Sequence, residues 1–563
     1  MATMSTTPPV LQGPSAKEKK YDRQLRLWAA SGQQALEDAH VLLLSSAGGS
    51  HVAGIETLKN LVLPGVGNFT IVDGEKVKEE DLGVNFFLDE GSLGRSRAHE
   101  TCNFLTELNP EVNGYAVDGF PASFLQQGKA VLSPYTLIIL TGPARQDELL
   151  RNVSKYASEH SIPFIYIHSV GFYSHFSVQL PAEFPIVDTH PDPASTQDLR
   201  LLNPWPELTE FMHKKTDDLE TLSDHEHGHI PYLLLLSHYL DKWRATHDGK
   251  VPKTYKEKTV FRDMVKKGAR TNNAEGGEEN FDEAVGAVLK SLNPVDMPSG
   301  LREVLHVADC QSPRLGSANF WIIAHAIRNF HSNHSALPLP GALPDMKAQS
   351  ADYIRLQNIY KAKARREFSE VVQDVRSVEQ KLGRRSTIEE KEIEAFCKGA
   401  AFVKLVKGRP IRFADAPKQM DWTDRAKYIC QELQDEESLL PIYLCFLAYD
   451  WFIKKNHEKE HIKTETEGPE ATANAMEEYT SDLLDHIAKS AGSDIDMEPA
   501  RGKLESVAAE IERAGGGEVH NISALTGGMV AQEVIKIITK QYVPVDNTCV
   551  FDGIASKAAV FKL

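Results

Sequence analysis

Between residues 40 and 180 short apolar runs alternate with amphipathic stretches. The runs "HVLLLS", "NFTIVD", "GYAVD", "YTLIIL" and "IPFIYIH" have strand length, and "YSHFSVQL" follows directly. Between them "GIETLKNLVL", "SRAHETCNFLTELN" and "DELLRNVSKYASEH" carry apolar residues at helical spacing. Strand and helix in turn predict a mostly parallel sheet covered on both faces, because a parallel pair needs a crossover connection and helices are the usual ones. After about residue 182 the period changes. Nearly every segment to about 512 repeats its apolar residues at three and four, as in "PYLLLLSHYLDKWRA" and "DYIRLQNIYKAKARREFSEVVQDVRSVEQKLG". The chain then returns to mixed character: "ISALTGGMVAQEVIKIITKQYVP" reads as a helix and "NTCVFDGIASKAAVFKL" as two short strands around a glycine turn.

This pattern divides the chain into a disordered start, 1–16, an α/β domain over 17–181, a mostly helical insertion over 182–512, and the C-terminal part of the same α/β domain over 513–563. Stretches 271–282 and 456–475 read as variable loops.

Composition narrows the functions. With 563 residues the chain is too long for one core. A net charge of −17 argues against a nucleic-acid backbone as the main partner. No apolar run is expected to span a bilayer, residues 1–20 lack a signal core, and the protein is expected in cytoplasm and nucleus. The six cysteines, Cys102, Cys310, Cys397, Cys430, Cys445 and Cys549, are scattered with no CxxC pair, so neither a zinc framework nor an activated thiol is expected. "DHEHGHIP" brings together His225, His227 and His229, but common metal spacings are absent and a solvated loop ahead of a helix is the expectation.

The first turn poses the main question. "SSAGGSHVAG" follows strand one and opens a helix, the place where a nucleotide phosphate is commonly held, yet no frame of it gives GxGxxG. Strand two ends in Asp73, at the position of a ribose partner; the plainer reading is an acid capping a turn.

Three segments, "YDRQLRLW", "LKNLVLPGVGNFTIVD" and "LTGGMVAQEVIKIITKQYVP", together resemble the activating enzymes of ubiquitin and ubiquitin-like proteins, with their Rossmann-like MoeB/ThiF-type adenylation fold. "GKVPKTYKEKTVFRDMVKKG" and "LPDMKAQSADYIRLQNIYKAKA" are similar to the heterodimeric Nedd-type (Rub) branch of that family. The resemblance covers residues 17 to 563. The SUMO-type branch lacks so large a helical insert, a self-sufficient MoeB/ThiF enzyme needs an intact site, and a dehydrogenase needs the missing glycine fingerprint; a scaffold of the same fold is a further alternative.

The resemblance implies a reaction and a division of labour. The full enzyme adenylates its modifier's C-terminal glycine with ATP and Mg2+, then passes the acyl group to a cysteine. The working site and the cysteine lie in a catalytic partner subunit, so this chain is the regulatory half and is expected to bind no cofactor itself. Active members carry a tight glycine loop, an arginine and a glutamine where this chain has Val84 and Asn85, a lysine where it has Arg97, and a magnesium-binding aspartate where it reads Thr141, Gly142 and Pro143. On "YDRQLRLW", helical spacing puts Tyr21, Leu25 and Trp28 on one face and Arg23 on the other. The resemblance assigns Arg23 to the partner's ATP, in trans. It also assigns Leu343, Pro344, Asp345, Met346 and Tyr353, in the Pro-rich connector, to the partner interface. Gly527 and Gly528 are expected to let a helix approach the sheet closely.

Overall fold

The computed structural model describes residues 13–143, 147–191, 198–271, 277–293, 297–461, 470–492 and 497–563. They form two compact units. One runs to Ile186 and resumes at Val406; the other is Val187–Leu405.

The first unit is built on an eight-stranded sheet. Its strands are β1 (His40–Ser45), β2 (Asn68–Asp73), β3 (Asn113–Asp118), β4 (Leu137–Thr141), β5 (Phe164–Val170) and β6 (Tyr173–Gln179). β7 (Phe184–Val187) and β8 (Val403–Val406) lie where the chain leaves this unit and returns to it, and β9 (Thr548–Asp552) and β10 (Lys557–Phe561) complete the sheet from the chain's end. The spatial order is β10-β9-β6-β5-β4-β1-β2-β3. The five strands from β3 to β5 are parallel, whereas β6, β9 and β10 join antiparallel. Only Gly171 and Phe172 separate β5 from β6, too short a link for a parallel crossover. Strand β1 is buried on both faces, with Val41 and Leu43 in one apolar core and Leu42 and Leu44 in the other. That is why it reads as a continuous apolar run rather than an alternating one.

The stretch read as one helical insertion, 182–512, is divided in the structure. Its part beyond Val406 belongs to the α/β unit: Ile429, Tyr443, Phe446 and Ile511 share a core with Val550 of β9 and Phe561 of β10. Helical period shows that a segment buries one face, and says nothing about which element covers it.

The other unit is helical, with two cores. The helix Ser350–Leu382 contributes to both, through Leu356, Ile359 and Tyr360 in one and Val371, Val375 and Val378 in the other. Gly383 ends it in a left-handed conformation, φ 68°.

Three expectations of irregular structure change. Of the start read as disordered, residues 1–12 lie outside the described residues, but Ser15 caps helix α1 (Ala16–Lys20) in a reciprocal capping box with Glu18. Of 456–475, residues 462–469 lie outside the described residues, whereas Leu440–His461 and Glu470–Ala491 are helical on either side. Of 271–282, residues 272–276 lie outside them and a helix starts at Glu279. The helix His520–Thr539 is long and apolar enough by composition to cross a membrane. Here Val530, Val534 and Ile537 bury it in the core beside β1.

Candidate functional site

The loop after β1 leads into helix α3 (Val52–Val62), whose first residue follows His51 in a left-handed conformation. His51 supplies no side-chain cap. Unpaired amides at a helix start carry partial positive charge and ordinarily favour an anion. In this chain the anion is internal. The Glu518 carboxylate accepts from the Val52 amide at 3.1 Å through Oε1 and from the Ala53 amide at 3.1 Å through Oε2. Ser523 Oγ donates to the same carboxylate at 2.5 Å. Burial raises the Glu518 pKa; the bonds from Ser523, Ala53 and Val52 work in the opposite direction.

The cations of the site are consumed as well. Arg97 opens helix α4 (Arg97–Glu107) and is buried, its side chain only 3% exposed. Its Nε and Nη2 meet Asp73 at 2.7 and 3.2 Å, and its Nη1 meets Asp81 at 2.9 Å and the Gly49 carbonyl at 2.8 Å. Burial opposes the guanidinium charge, but Asp73 and then Asp81 outweigh it and its pKa is raised. Asp73 also accepts from the Glu75 amide at 2.9 Å, which caps the turn as expected for an acidic strand end. Asn85 is buried and accepts from the Phe87 amide. Ser46 Oγ donates to the carbonyls of Thr141 and Pro143 at 2.8 and 2.6 Å, drawing the glycine loop onto the segment that would carry a magnesium ligand. Val84 adds no hydrogen-bonding side chain, and the Asn85 side-chain nitrogen is buried without a partner among the described residues.

Sequence reading found Asp73, Val84, Asn85 and Arg97, but missed Glu518 and Asp81. Glu518 lies in "AGGGEVH", where the only local signal is an acid beside flexible glycines. Its target amides are 466 and 465 residues away.

Arg23 sits differently. Helix α2 (Asp22–Glu37) follows Tyr21 and is broken near Trp28 and Ala29, whose φ/ψ are −124°/16° and 55°/−177°. The break falls at the far end of the expected face of Tyr21, Leu25 and Trp28. Tyr21 and Trp28 are buried and Leu25 is half-buried. Each end is tied down separately. Tyr21 Oη donates to Glu111 at 2.9 Å and accepts from Asn109 at 3.1 Å. Trp28 Nε1 donates to Gln33 at 3.1 Å, and its carbonyl accepts from Gln541 at 2.9 Å. Between these anchors Arg23 is exposed. Arg26 pairs with Asp22 at 3.0 Å, Lys17 with Glu37 and Lys20 with Glu111; among the described residues Arg23 has no ion pair.

The remaining candidates fall elsewhere. In the helical unit Met346 is buried in the core, with Leu343 and Tyr353 packed beside it and the Tyr353 hydroxyl 3.4 Å from the Pro344 carbonyl. Only Asp345 of that group is fully on the surface, where its carboxylate accepts from the Met346 amide. Met346 therefore shapes this segment from inside.

His227 is not solvated as expected: it is buried, with Nδ1 2.7 Å from Glu278. His229 Nδ1 lies 2.7 Å from the His225 carbonyl. Among the described residues no cluster of His, Cys, Asp or Glu is arranged to hold a metal.

All six cysteines are buried. Burial pushes the thiols of Cys102 and Cys549 up to about 11 and those of Cys310 and Cys397 up to about 12; Cys430 and Cys445 shift the same way. A thiol so raised is a poor nucleophile at neutral pH.

Gly527 makes a close approach, but to a helix rather than the sheet: a Cβ there would lie 2.6 Å from Glu56 Cβ and 2.8 Å from the Thr57 nitrogen of α3. Gly528 faces open space.

Comparison with known proteins agrees on one family. The ThiF family model matches residues 21–562. A Danio rerio protein named NEDD8-activating enzyme E1 regulatory subunit is 35% identical over 554 residues, covering 98% of this chain and 99% of that protein. A Xenopus laevis protein of the same name is 36% identical, covering 97% and 99%. A Drosophila melanogaster relative, again of that name, is 35% identical over the full length of both chains.

Proposed function

Because this chain belongs to the ThiF family and matches its relatives end to end, we propose that it is the regulatory subunit of a NEDD8-activating enzyme. It pairs with a catalytic, cysteine-bearing subunit that holds ATP and Mg2+, and the pair acts on the Nedd-type modifier in cytoplasm and nucleus. By itself the chain is inactive. The observation that carries this part is the Glu518 carboxylate on the Val52 and Ala53 amides, where a nucleotide phosphate would need those same donors. A triphosphate brought there would meet a resident anion, and Arg97, already paired twice, would have to leave two buried carboxylates uncompensated to meet it.

The positive contribution of the chain is Arg23. In the reaction the modifier's terminal carboxylate attacks the α-phosphorus of ATP, the α–β phosphoanhydride bond breaks, and pyrophosphate leaves with the negative charge. A guanidinium brought from the neighbouring subunit neutralises that charge without any chemistry of its own. The broken helix α2, fixed at Tyr21 and Trp28, supports this role by holding an uncommitted arginine on the surface.

Calorimetric titration with ATP–Mg2+ tests the division of labour. The isolated chain should show no stoichiometric site, and the reconstituted heterodimer should show one per pair. A micromolar site on the isolated chain would reject the closed-site reading.

A further inference from the structure

The segment "GKVPKTYKEKTVFRDMVKKG" is not used by the proposed function. In the structure it forms the helix Tyr255–Lys267, and its two faces differ sharply. Phe261 and Val265 are fully buried in the core of the helical unit. Lys258 is buried beside them, with Nζ donating to Asn293. The opposite face carries Lys256, Lys266 and Lys267, all exposed, and Lys250 and Lys253 precede the helix, also exposed. Among the described residues none of these five lysines has an ion pair. Elsewhere in the same unit Lys215 pairs with Asp352, Lys347 with Glu279 and Arg270 with Asp224. Acids of this stretch offset only part of the charge: residues 250–267 hold two, Glu257, which accepts from the amides of Lys253 and Thr254 at 2.9 and 2.8 Å in a capping box with Thr254, and Asp263.

Two large apolar side chains stand among these charges. Tyr255 is 72% exposed and Val260 53% exposed. Lysine stems often cover such groups, yet these are open. An exposed aromatic side chain on a face that also carries cations is the pattern of a binding hot spot, in which the ring supplies contact area and the charges supply steering.

We propose that this face docks an acidic segment of a partner protein, with an apolar side chain of that segment against Tyr255 and Val260. Charge complementarity selects the class of occupant. On a chain of net charge −17, five unpaired lysines within eighteen residues form a local positive field in a negative surround. A short acidic peptide feels the local field. A long polyanion such as duplex nucleic acid also meets the negative surround, which extends beyond a helix only ~20 Å long.

The test uses the full-length chain and a fluorescent peptide of about the helix's own length, rich in Glu with one central Leu. Anisotropy should show binding that weakens as salt rises and disappears when Gln replaces Glu in the peptide. The triple variant K256E/K266E/K267E should weaken binding at least ~10-fold, and Tyr255→Ala several-fold. All four side chains are exposed, so the fold should survive, which circular dichroism checks. The proposal is overturned if the acidic peptide does not bind, if the charge reversals leave its affinity unchanged, or if duplex DNA or phosphatidylserine vesicles bind this face as tightly as the peptide does.

Discussion

The turn after β1 and helix α2 both present groups that suit a nucleotide phosphate, and the molecule disposes of them in opposite ways. At the turn the groups best placed for a phosphate have internal partners: the Val52 and Ala53 amides take Glu518, and Arg97 takes Asp73, Asp81 and the Gly49 carbonyl. On α2 the side chains of Tyr21 and Trp28 tie the helix down, while Arg23 has no ion pair among the described residues. Burial accounts for the difference. A charge inside the protein without a partner costs several kcal/mol, so a site that loses its ligand must satisfy its charges internally. A guanidinium at the surface is satisfied by water, and remains available to a ligand that arrives on another subunit.

The sharpest way to break this comparison is to remove the buried cation. Arg97→Met should destabilise the α/β unit by roughly 3–5 kcal/mol, because Asp73 and Asp81 stay buried without their partner. Denaturant unfolding followed by a probe in this unit measures it. A change below about 1 kcal/mol would mean that the ion triad is not what closes the site.

Removing the exposed cation should do the reverse, leaving the fold intact and affecting chemistry alone. Arg23→Ala in the reconstituted heterodimer should lower modifier-dependent ATP–pyrophosphate exchange on the order of 10²-fold. This is less than the 10³–10⁵ typical of in-trans arginines, since the proposed catalytic partner is expected to bring cations of its own. Arg23→Lys should recover only part, since an ammonium cannot make the bidentate contact. Unchanged exchange with an intact dimer would leave Arg23 as an ordinary surface charge.

The paired glycines sharpen the comparison within one helix. Gly527→Ala drives a methyl into Glu56 and Thr57 and should cost about 1–3 kcal/mol. Gly528→Ala meets nothing and should be neutral or stabilise by up to ~1 kcal/mol. Equal effects at the two positions would contradict the packing of the terminal helix on α3.

The smallest expected effect is at the thiols. With all six buried and shifted upward, single replacements should leave modifier thioester formation by the heterodimer unchanged, and no reducible adduct should appear on this chain. An adduct on this chain that one replacement abolishes would overturn that reading.

Much of this was legible locally. The apolar runs located the strands and the helical period the helices, because each reports on near neighbours in the chain. Missing donors can also be read directly: Val84 cannot bind an anion in any fold. The sequence alone thus established the α/β class, the helical block, the loss of a glycine fingerprint and the presence of Arg23 on a helix.

Tertiary structure decided which groups partner the amides and the arginine of this turn. Nothing near residue 52 announces that a carboxylate from residue 518 covers its amide, and Asp81 gives no sign that it will share Arg97 with Asp73. Nor could period alone show that the helices after Val406 share a core with β9 and β10, or that α2 breaks at Trp28 and Ala29. The physical reason is the same in each case. Secondary structure depends on spacings of a few residues, whereas the satisfaction of a buried charge or an apolar face depends on whichever distant segment packing brings within about 3 Å.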